Sequence, residues 1–409
     1  MDLLTNNEIN IITIRCGYCK VLDWFLEDFS NKIMGYLGDH LKLRIQVEKE
    51  GIKSELRLFV KCMPRDPWKS NYIKELTFFK KEYAMLSQLF LNFENQPGLG
   101  KWRPSLIYIR EDLFVFEDVT ETGYIMPSNV KTLSFKQLTA TVEALARFHA
   151  QSFIYEEIKS KKLNRPYRIW EDFSDYLQEP DKDGGWRIIG RNSIIDFLKV
   201  HSKYKNKPNL IQDLERILPL LFDKAVNLMK PSPIYRNVVV HRDIWSNNIF
   251  LRKIETTNYH ALIVDFQTVL YASPMIDLSS LIYFNTTKDF RKNNTADLIN
   301  VYYETLVTEL RSVKLDINNI FDKAFLTKSY EESILFGITQ AAIIVPIIAI
   351  SSEKREKIFS NPESSRKFSV VSRSYDFLKS AEEDEHYRDR ISELFDEIVE
   401  RYIYPEIYC

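Results

Sequence analysis

The chain has 409 residues, 45% of them hydrophobic and 13% aromatic, but only 11 are glycine, where an average composition gives roughly 29. That length exceeds what one core usually supports, which predicts two lobes, and 56 basic against 57 acidic residues leave no overall field to favour nucleic acid or an anionic membrane. Neither G-x-x-x-x-G-K-[ST] nor G-x-G-x-x-G is present, so the two commonest glycine-rich phosphate cradles are excluded.

The first residues carry acidic and amide side chains where a signal peptide needs a basic start and an apolar run, and the expectation is a cytoplasmic chain without a membrane span. Cys16, Cys19, Cys62 and Cys409 are too scattered for a disulfide framework and read as ordinary thiols. Residues 41–47 alternate apolar and polar, and 55–61 do the same after Gly51, predicting a hairpin. Apolar residues at helical spacing from 71 to 93 (Ile73, Leu76, Phe79, Tyr83, Leu86, Phe90) predict one long helix. Strands at 105–109 and 113–116 complete a small sheet.

From residue 117 the pattern turns mainly helical, with helices at 134–155, 194–200 and 210–229, the last kinked at Pro219, and several more from 298 onward. The exception is a strand-rich insert over 237–270. Residues 180–185 read as a loop, and the apolar run 334–350, broken by Gly337, Thr339, Gln340 and Pro346, reads as a buried helix. The expected class is α+β: a β-rich lobe over 1–116 with phosphate-binding residues, and a larger helical lobe over 117–409 with the catalytic loop, metal site and acceptor pocket.

The chemistry concentrates in His241-Arg-Asp243-Ile-Trp-Ser-Asn-Asn248. Phosphoryl transfer needs a carboxylate beside the attacking hydroxyl and oxygen ligands for magnesium, and this spacing supplies Asp243 as base and Asn248 as ligand on one loop. Twenty-two residues later Asp265 ends an apolar strand, where a β-hairpin returns it to the same place as a second magnesium ligand. Lys61 shares a strand face with Arg57 and Phe59, opposite Leu56, Leu58 and Val60, so it faces a cleft and suits nucleotide phosphates. Glu75 and Glu82 both lie on the following helix as partners for it.

Gly35 and Gly38 sit where a phosphate-covering loop belongs, although G-x-x-G alone equally marks a turn. Glu117-Asp-Val119 falls at the lobe junction, as a hinge for the base or a polar turn. Asp277 either supports the catalytic loop or is a helix N-terminal acid, and His149 reads as a packed histidine. Trp170, Phe173, Tyr176, Trp186 and Phe197 fit either a flat apolar acceptor or the core.

A β-rich lobe with one long helix before a helical lobe holding a β insert resembles the protein-kinase-like bilobal fold. GYLGDH, LFVKCMP, FFKKEYAML, FVFEDV, LARFHAQSF, VVVHRDIWSNNIF, LIVDFQ and PMIDLSSL, in this order over about 30–350, resemble the arthropod ecdysteroid kinase-like family, related to choline kinases and aminoglycoside phosphotransferases. The resemblance implies an ATP- and magnesium-dependent kinase of a small-molecule hydroxyl, ecdysteroids being the named acceptor. It implies Asp243 as base, Asn248 and Asp265 on magnesium, Lys61 with Glu82 positioning phosphates, and Glu117 to Val119 as hinge. Two residues depart from the family pattern: Arg242 replaces a common glycine and His40 a common asparagine. A choline- or aminoglycoside-type kinase and a nucleotide-binding pseudokinase are the alternatives. Gln267 after Asp265-Phe266 and the lack of A-P-E set the chain apart from protein kinases.

Overall fold

The computed structural model describes residues 3–29, 38–128, 132–179, 185–320 and 322–408. Gly35 and most of the loop expected at 180–185 lie outside them.

Helix α1 (Asn6–Arg15) opens on a capping box in which Thr5 and Glu8 satisfy each other's backbone amides. Strands β1 (Lys20–Asp28), β2 (Asp39–Lys49), β3 (Ile52–Cys62), β4 (Leu106–Arg110) and β5 (Leu113–Glu117) form one antiparallel sheet in the order β1-β2-β3-β5-β4. The expected hairpin is β2–β3, closed by Glu50 and Gly51 at φ of 54° and 79°, the pair of left-handed residues a tight hairpin turn requires. Leu41, Leu43, Ile45, Leu58, Val60 and Val115 bury one face of this sheet against Ile9 and Ile12 of α1. Lys61 and Phe59 therefore point from the other face. The expected sheet lacked its first strand, β1.

The helix expected over 71–93 is broken. α2 (Pro67–Glu75) stops before Thr77, whose φ of 57° no α-helix accommodates; α3 (Phe78–Ala84) restarts and runs into a wide turn at Met85–Leu89. Ile73 on one side of the break and Phe79, Leu86 and Phe90 on the other all reach the same core, so the apolar spacing runs through it unmarked. The restart leaves Lys81 and Glu82 both buried, facing the rest of the protein.

Beyond the sheet, α4 (Phe135–Leu163), α5 (Trp170–Phe173), α6 (Trp186–His201) and α7 (Leu210–Asn227) precede the strand-rich insert. There β6 (Val238–Val240) pairs with β9 (Leu270–Ala272), and β7 (Ile249–Lys253) with β8 (Tyr259–Ile263), all antiparallel. Among the described residues seven α-helices follow: α8 (Met275–Asn285), α9 (Lys288–Ser312), α10 (Lys323–Ala349), α11 (Ser352–Ser360), α12 (Pro362–Val370), α13 (Ser374–Glu383) and α14 (Glu385–Ile398). By length and composition α10 is apolar enough to cross a membrane, yet 72% of its apolar window is buried within the protein. It packs on α8 so closely that Gly337 leaves no room for a β-carbon, which would lie 2.8 Å from the carbonyl oxygen of Ser279.

An aromatic cluster joins the two halves. Phe266 lies edge-on to Phe90 and to Trp102, with ring centroids 5.2 and 5.7 Å away, and Trp102 tilts over Phe148 of α4 at 4.9 Å. This cluster seats the segment carrying Asp265 on both the sheet-bearing and the helical half.

Candidate functional site

The cleft between sheet and helices is lined by residues from widely separated stretches of the chain, among them Gly38, Lys61, Glu82, Glu117, Asp243 and Asp265. Its centre is a buried ion triad. The Lys61 ammonium lies 2.5 Å from Glu82 Oε2 and 2.6 Å from Asp265 Oδ1, bringing β3, α3 and the segment after β8 to one point. Burial pulls the Lys61 amine down, and the carboxylates of Asp265 and Glu82 more than offset it, leaving it above the ordinary lysine value. Glu82 also accepts the amide of Phe266 at 3.0 Å. Of the two glutamates on the expected helix, Glu75 falls on the far side of the Thr77 break, and Glu82 is the one that meets Lys61.

The stretch 241–248 between β6 and β7 is shaped by its own polar groups. Asp277, fully buried at the start of α8, accepts the amides of His241 at 2.5 Å and Arg242 at 2.6 Å. His241 Nε2 lies 2.9 Å from the carbonyl of Val264, and its Nδ1 accepts the amide of Asp243 at 3.3 Å, an arrangement satisfied by the tautomer protonated on Nε2. His149, also fully buried, joins Asp277 at 3.0 Å to the hydroxyl of Tyr302 at 2.8 Å. Asp277 thus supports the loop as well as opening a helix, and His149 is a packed histidine with two polar partners.

Asp243 Oδ2 accepts from the Trp245 indole and from the Asn248 amide nitrogen, both at 3.2 Å. Asn248 also donates to the Asp243 carbonyl at 2.7 Å, so its nitrogen is committed to oxygen acceptors and its amide oxygen is the end left to accept. Burial pushes the Asp243 carboxyl above the ordinary aspartate range. Asp265 sits at φ 70° and Arg242 at 73°, left-handed conformations that cost of order 1–3 kcal/mol each for such residues. The backbone at Arg242 is therefore one that favours glycine. Asn248 Oδ1 and the Asp265 carboxylate are hard oxygen donors of the kind magnesium takes.

At the other end of the cleft, Glu117 spends its carboxylate locally, accepting the Ser105 amide at 2.6 Å and pairing with Lys101. Asp118 caps the turn Val119–Thr122 by accepting from the Thr120 amide at 3.0 Å. The side chains of Glu117 and Asp118 are thus spent on local contacts, and the backbone of this stretch is what is left for the expected hinge.

Gly38 lies over the Lys61 side chain, where a β-carbon would sit 3.6 Å from its Cε. Burial and then the charge of Lys61 hold His40 at about 4, a neutral ring beside Phe59. Gln267, given no role from sequence, donates to Asp265 Oδ2 at 3.1 Å and lies 3.4 Å from Lys61. Trp245 was quoted only as part of its motif. The signal for both is their place within two residues of Asp243 and Asp265.

Of the five aromatic residues expected at an acceptor pocket or in the core, Phe173 and Phe197 are core, and Trp170, Tyr176 and Trp186 are half-buried and pack against it. Phe197 is fully buried, Phe173 nearly so, Trp170 stacks on Tyr271, and the Arg373 guanidinium lies 3.5 Å from the centre of the Trp186 ring. Among the described residues none of these, nor Tyr176, lines the cleft; Phe29, Phe59, Phe116, Trp245 and Phe250 do.

Several solved structures resemble the chain at low identity. A Plasmodium vivax ethanolamine kinase is 11% identical, covering 96% of this chain and 84% of that one, with a TM-score of 0.39. A choline kinase from Streptococcus pneumoniae is 12% identical over 89% of this chain and 95% of that one, at 0.37. A microcompartment-associated aminopropanol kinase is 12% identical over 96% and 98%, at 0.41. Likenesses this distant carry no argument about substrate, and a search of curated proteins finds no match. The family comparison is decisive, because the ecdysteroid kinase-like model matches residues 32–315, more than half of the chain and a range that includes Lys61, Glu82, Asp243, Asn248 and Asp265. The chain belongs to the ecdysteroid kinase-like family, and with it to the phosphotransferases that take an alcohol group as acceptor.

Proposed function

We propose that this protein is an ATP- and magnesium-dependent small-molecule O-kinase whose acceptor is an ecdysteroid or a related polyhydroxylated alcohol. The observation that carries the reading is the Lys61 ammonium held between Glu82 and Asp265 in the same cleft as Asp243 and Asn248. In this reading residues 1–116 form the lobe that holds the phosphates and 117–409 the lobe that carries the catalytic loop.

Lys61, fixed by Glu82, aligns the phosphates under Gly38, and the backbone from Glu117 to Val119 holds the base. Asn248 and Asp265 hold the metal; magnesium, when bound, neutralises charge on the transferring phosphoryl group. Asp243 accepts the proton of the acceptor hydroxyl as its oxygen bonds to the terminal phosphorus. The bond from that phosphorus to the bridging oxygen breaks, and the nucleoside diphosphate leaves with the electron pair. Raised by burial, Asp243 is a better proton acceptor than an exposed aspartate.

The test is a labelled-phosphate transfer screen with ATP and magnesium across steroids, phenolics, glycosides and amino alcohols. Transfer to a polyhydroxylated acceptor, lost by a factor of about 10²–10⁴ in a folded Asp243→Asn variant, is expected. Nucleotide binding without transfer to any of them would make the chain a binding module. A preference for amino alcohols would move it to the choline kinase type.

A further inference from the structure

Arg242, Glu179 and Lys81 take no part in the chemistry above, yet all three are drawn into the structure beside it. Arg242 stands in a strained left-handed conformation one residue before Asp243. Its guanidinium makes an ion pair with Glu179, whose other oxygen takes Arg187 of α6 at 2.9 Å. The residue before, Gln178, gives its carbonyl to Lys81 at 3.0 Å, and that ammonium donates also to the carbonyl of Val269 at 3.1 Å. The carbonyl of Leu177 accepts the amide of Tyr271 at 3.0 Å.

Leu177, Gln178 and Glu179 are thus tied to α3, the catalytic loop, β9 and α6. The cations are costly where they sit. Burial, then the charge of Arg242, lowers Lys81 to about 7, and burial lowers Arg242 to about 10. Lys81 neighbours Glu82 and Arg242 neighbours Asp243, so one short segment touches the residues next to both ends of the reactive set.

We infer that Leu177, Gln178 and Glu179 form a positioning strap, in which the Arg242–Glu179 ion pair fixes the loop carrying Asp243 and Lys81 fixes the same segment to the helix carrying Glu82. The effect on catalysis rests on the reading of Asp243 as base; the mechanical effect does not.

The test is a double-mutant cycle on the full chain. Asparagine tolerates the left-handed region, so Arg242→Asn removes the guanidinium without adding backbone strain, and Glu179→Gln is nearly isosteric. Hydrogen exchange of peptides spanning residues 238–248 should speed up by about tenfold in each single variant, and the double variant should be no faster than either. Arg242→Lys, which keeps the charge, should restore part of the protection and serves if the asparagine variant does not fold. In transfer assays kcat should fall about tenfold with the nucleotide KM within about twofold of the parent value. Unchanged exchange in the single variants, or multiplying effects in the double, overturns the strap; altered exchange with unchanged kcat overturns its positioning role. A wild-type chain that transfers no phosphate sinks the kinase reading instead, and the exchange cycle still decides the strap.

Discussion

The carboxylate of Asp277 accepts the backbone amide of Arg242 at 2.6 Å, and its second oxygen holds the amide of His241. A fully buried carboxylate at the start of α8 therefore orders the backbone that presents Asp243. Asparagine there offers one acceptor and one donor to two amides, so one amide is left facing a donor. Asp277→Asn should cost about 1.5–3 kcal/mol, read as a lower urea midpoint, and reduce phosphate transfer beyond what the lost stability explains. Parental stability and turnover would contradict this account of the loop.

Lys61→Met leaves Glu82, 1% exposed, without its cation. Breaking a buried pair from one side costs about 3–5 kcal/mol, whereas removing both charges often costs less. The single variant should be the least stable, and Lys61→Met with Glu82→Leu should regain part of the loss without regaining nucleotide binding. Chemical denaturation and a nucleotide thermal-shift assay check the two halves separately.

Asn248 and Asp265 are expected to respond to metal rather than to nucleotide alone. With magnesium and ATP at about 100 times the dissociation constant, the wild-type chain should gain about 2.7 kcal/mol of stability. Asp265→Asn should lose the magnesium-dependent part of the thermal shift and keep a smaller metal-independent one. An equal magnesium effect in that variant would remove Asp265 from the metal site.

Two buried histidines set a pH dependence. Burial holds His260 at about 4 against 6.5, with Tyr124 hydroxyl and the Leu99 carbonyl as partners, and burial also lowers His149. Each binds its proton more weakly in the folded than in the unfolded chain. The contribution of His260 is therefore fully present above about pH 6.5 and is lost as pH falls towards 4, by up to about 1.4 kcal/mol per unit, and that of His149 is lost in the same direction. Urea midpoints measured across that window should fall, and His260→Gln should flatten part of the slope.

Gly337→Ala places a β-carbon 2.7–2.9 Å from atoms of Ser279, two of them backbone, so α10 and α8 must separate. Overpacking of this kind costs about 1–3 kcal/mol. The variant should melt lower while its nucleotide affinity, read at a temperature where it is folded, stays near that of the parent.

Much of the sheet was legible because its strands alternate cleanly. β2 and β3 read IQV and LFV in step with their buried faces, and the turn between them has its glycine. β1 was not legible: it is one of the two edge strands, its register shifts between Val21 and Asp23, and its burial does not alternate. α1 carries a readable sign in the T-x-x-E box at Thr5 and Glu8. Thr77 offered no sign at all, since a threonine at φ 57° is a conformation that packing imposes.

In the sequence itself lay the loop from His241 to Asn248, the strand delivering Asp265 and the face on which Lys61 stands, because each depends on residue spacing within one short stretch. Only the tertiary structure decided that Lys61 meets Asp265 across 204 residues, that the aromatic side chains from Trp170 to Phe197 pack in or against the core, and that Arg242 reaches Glu179. Periodicity reports that a side chain is buried; which partner it is buried against is set by how separate elements pack, and no local pattern encodes that.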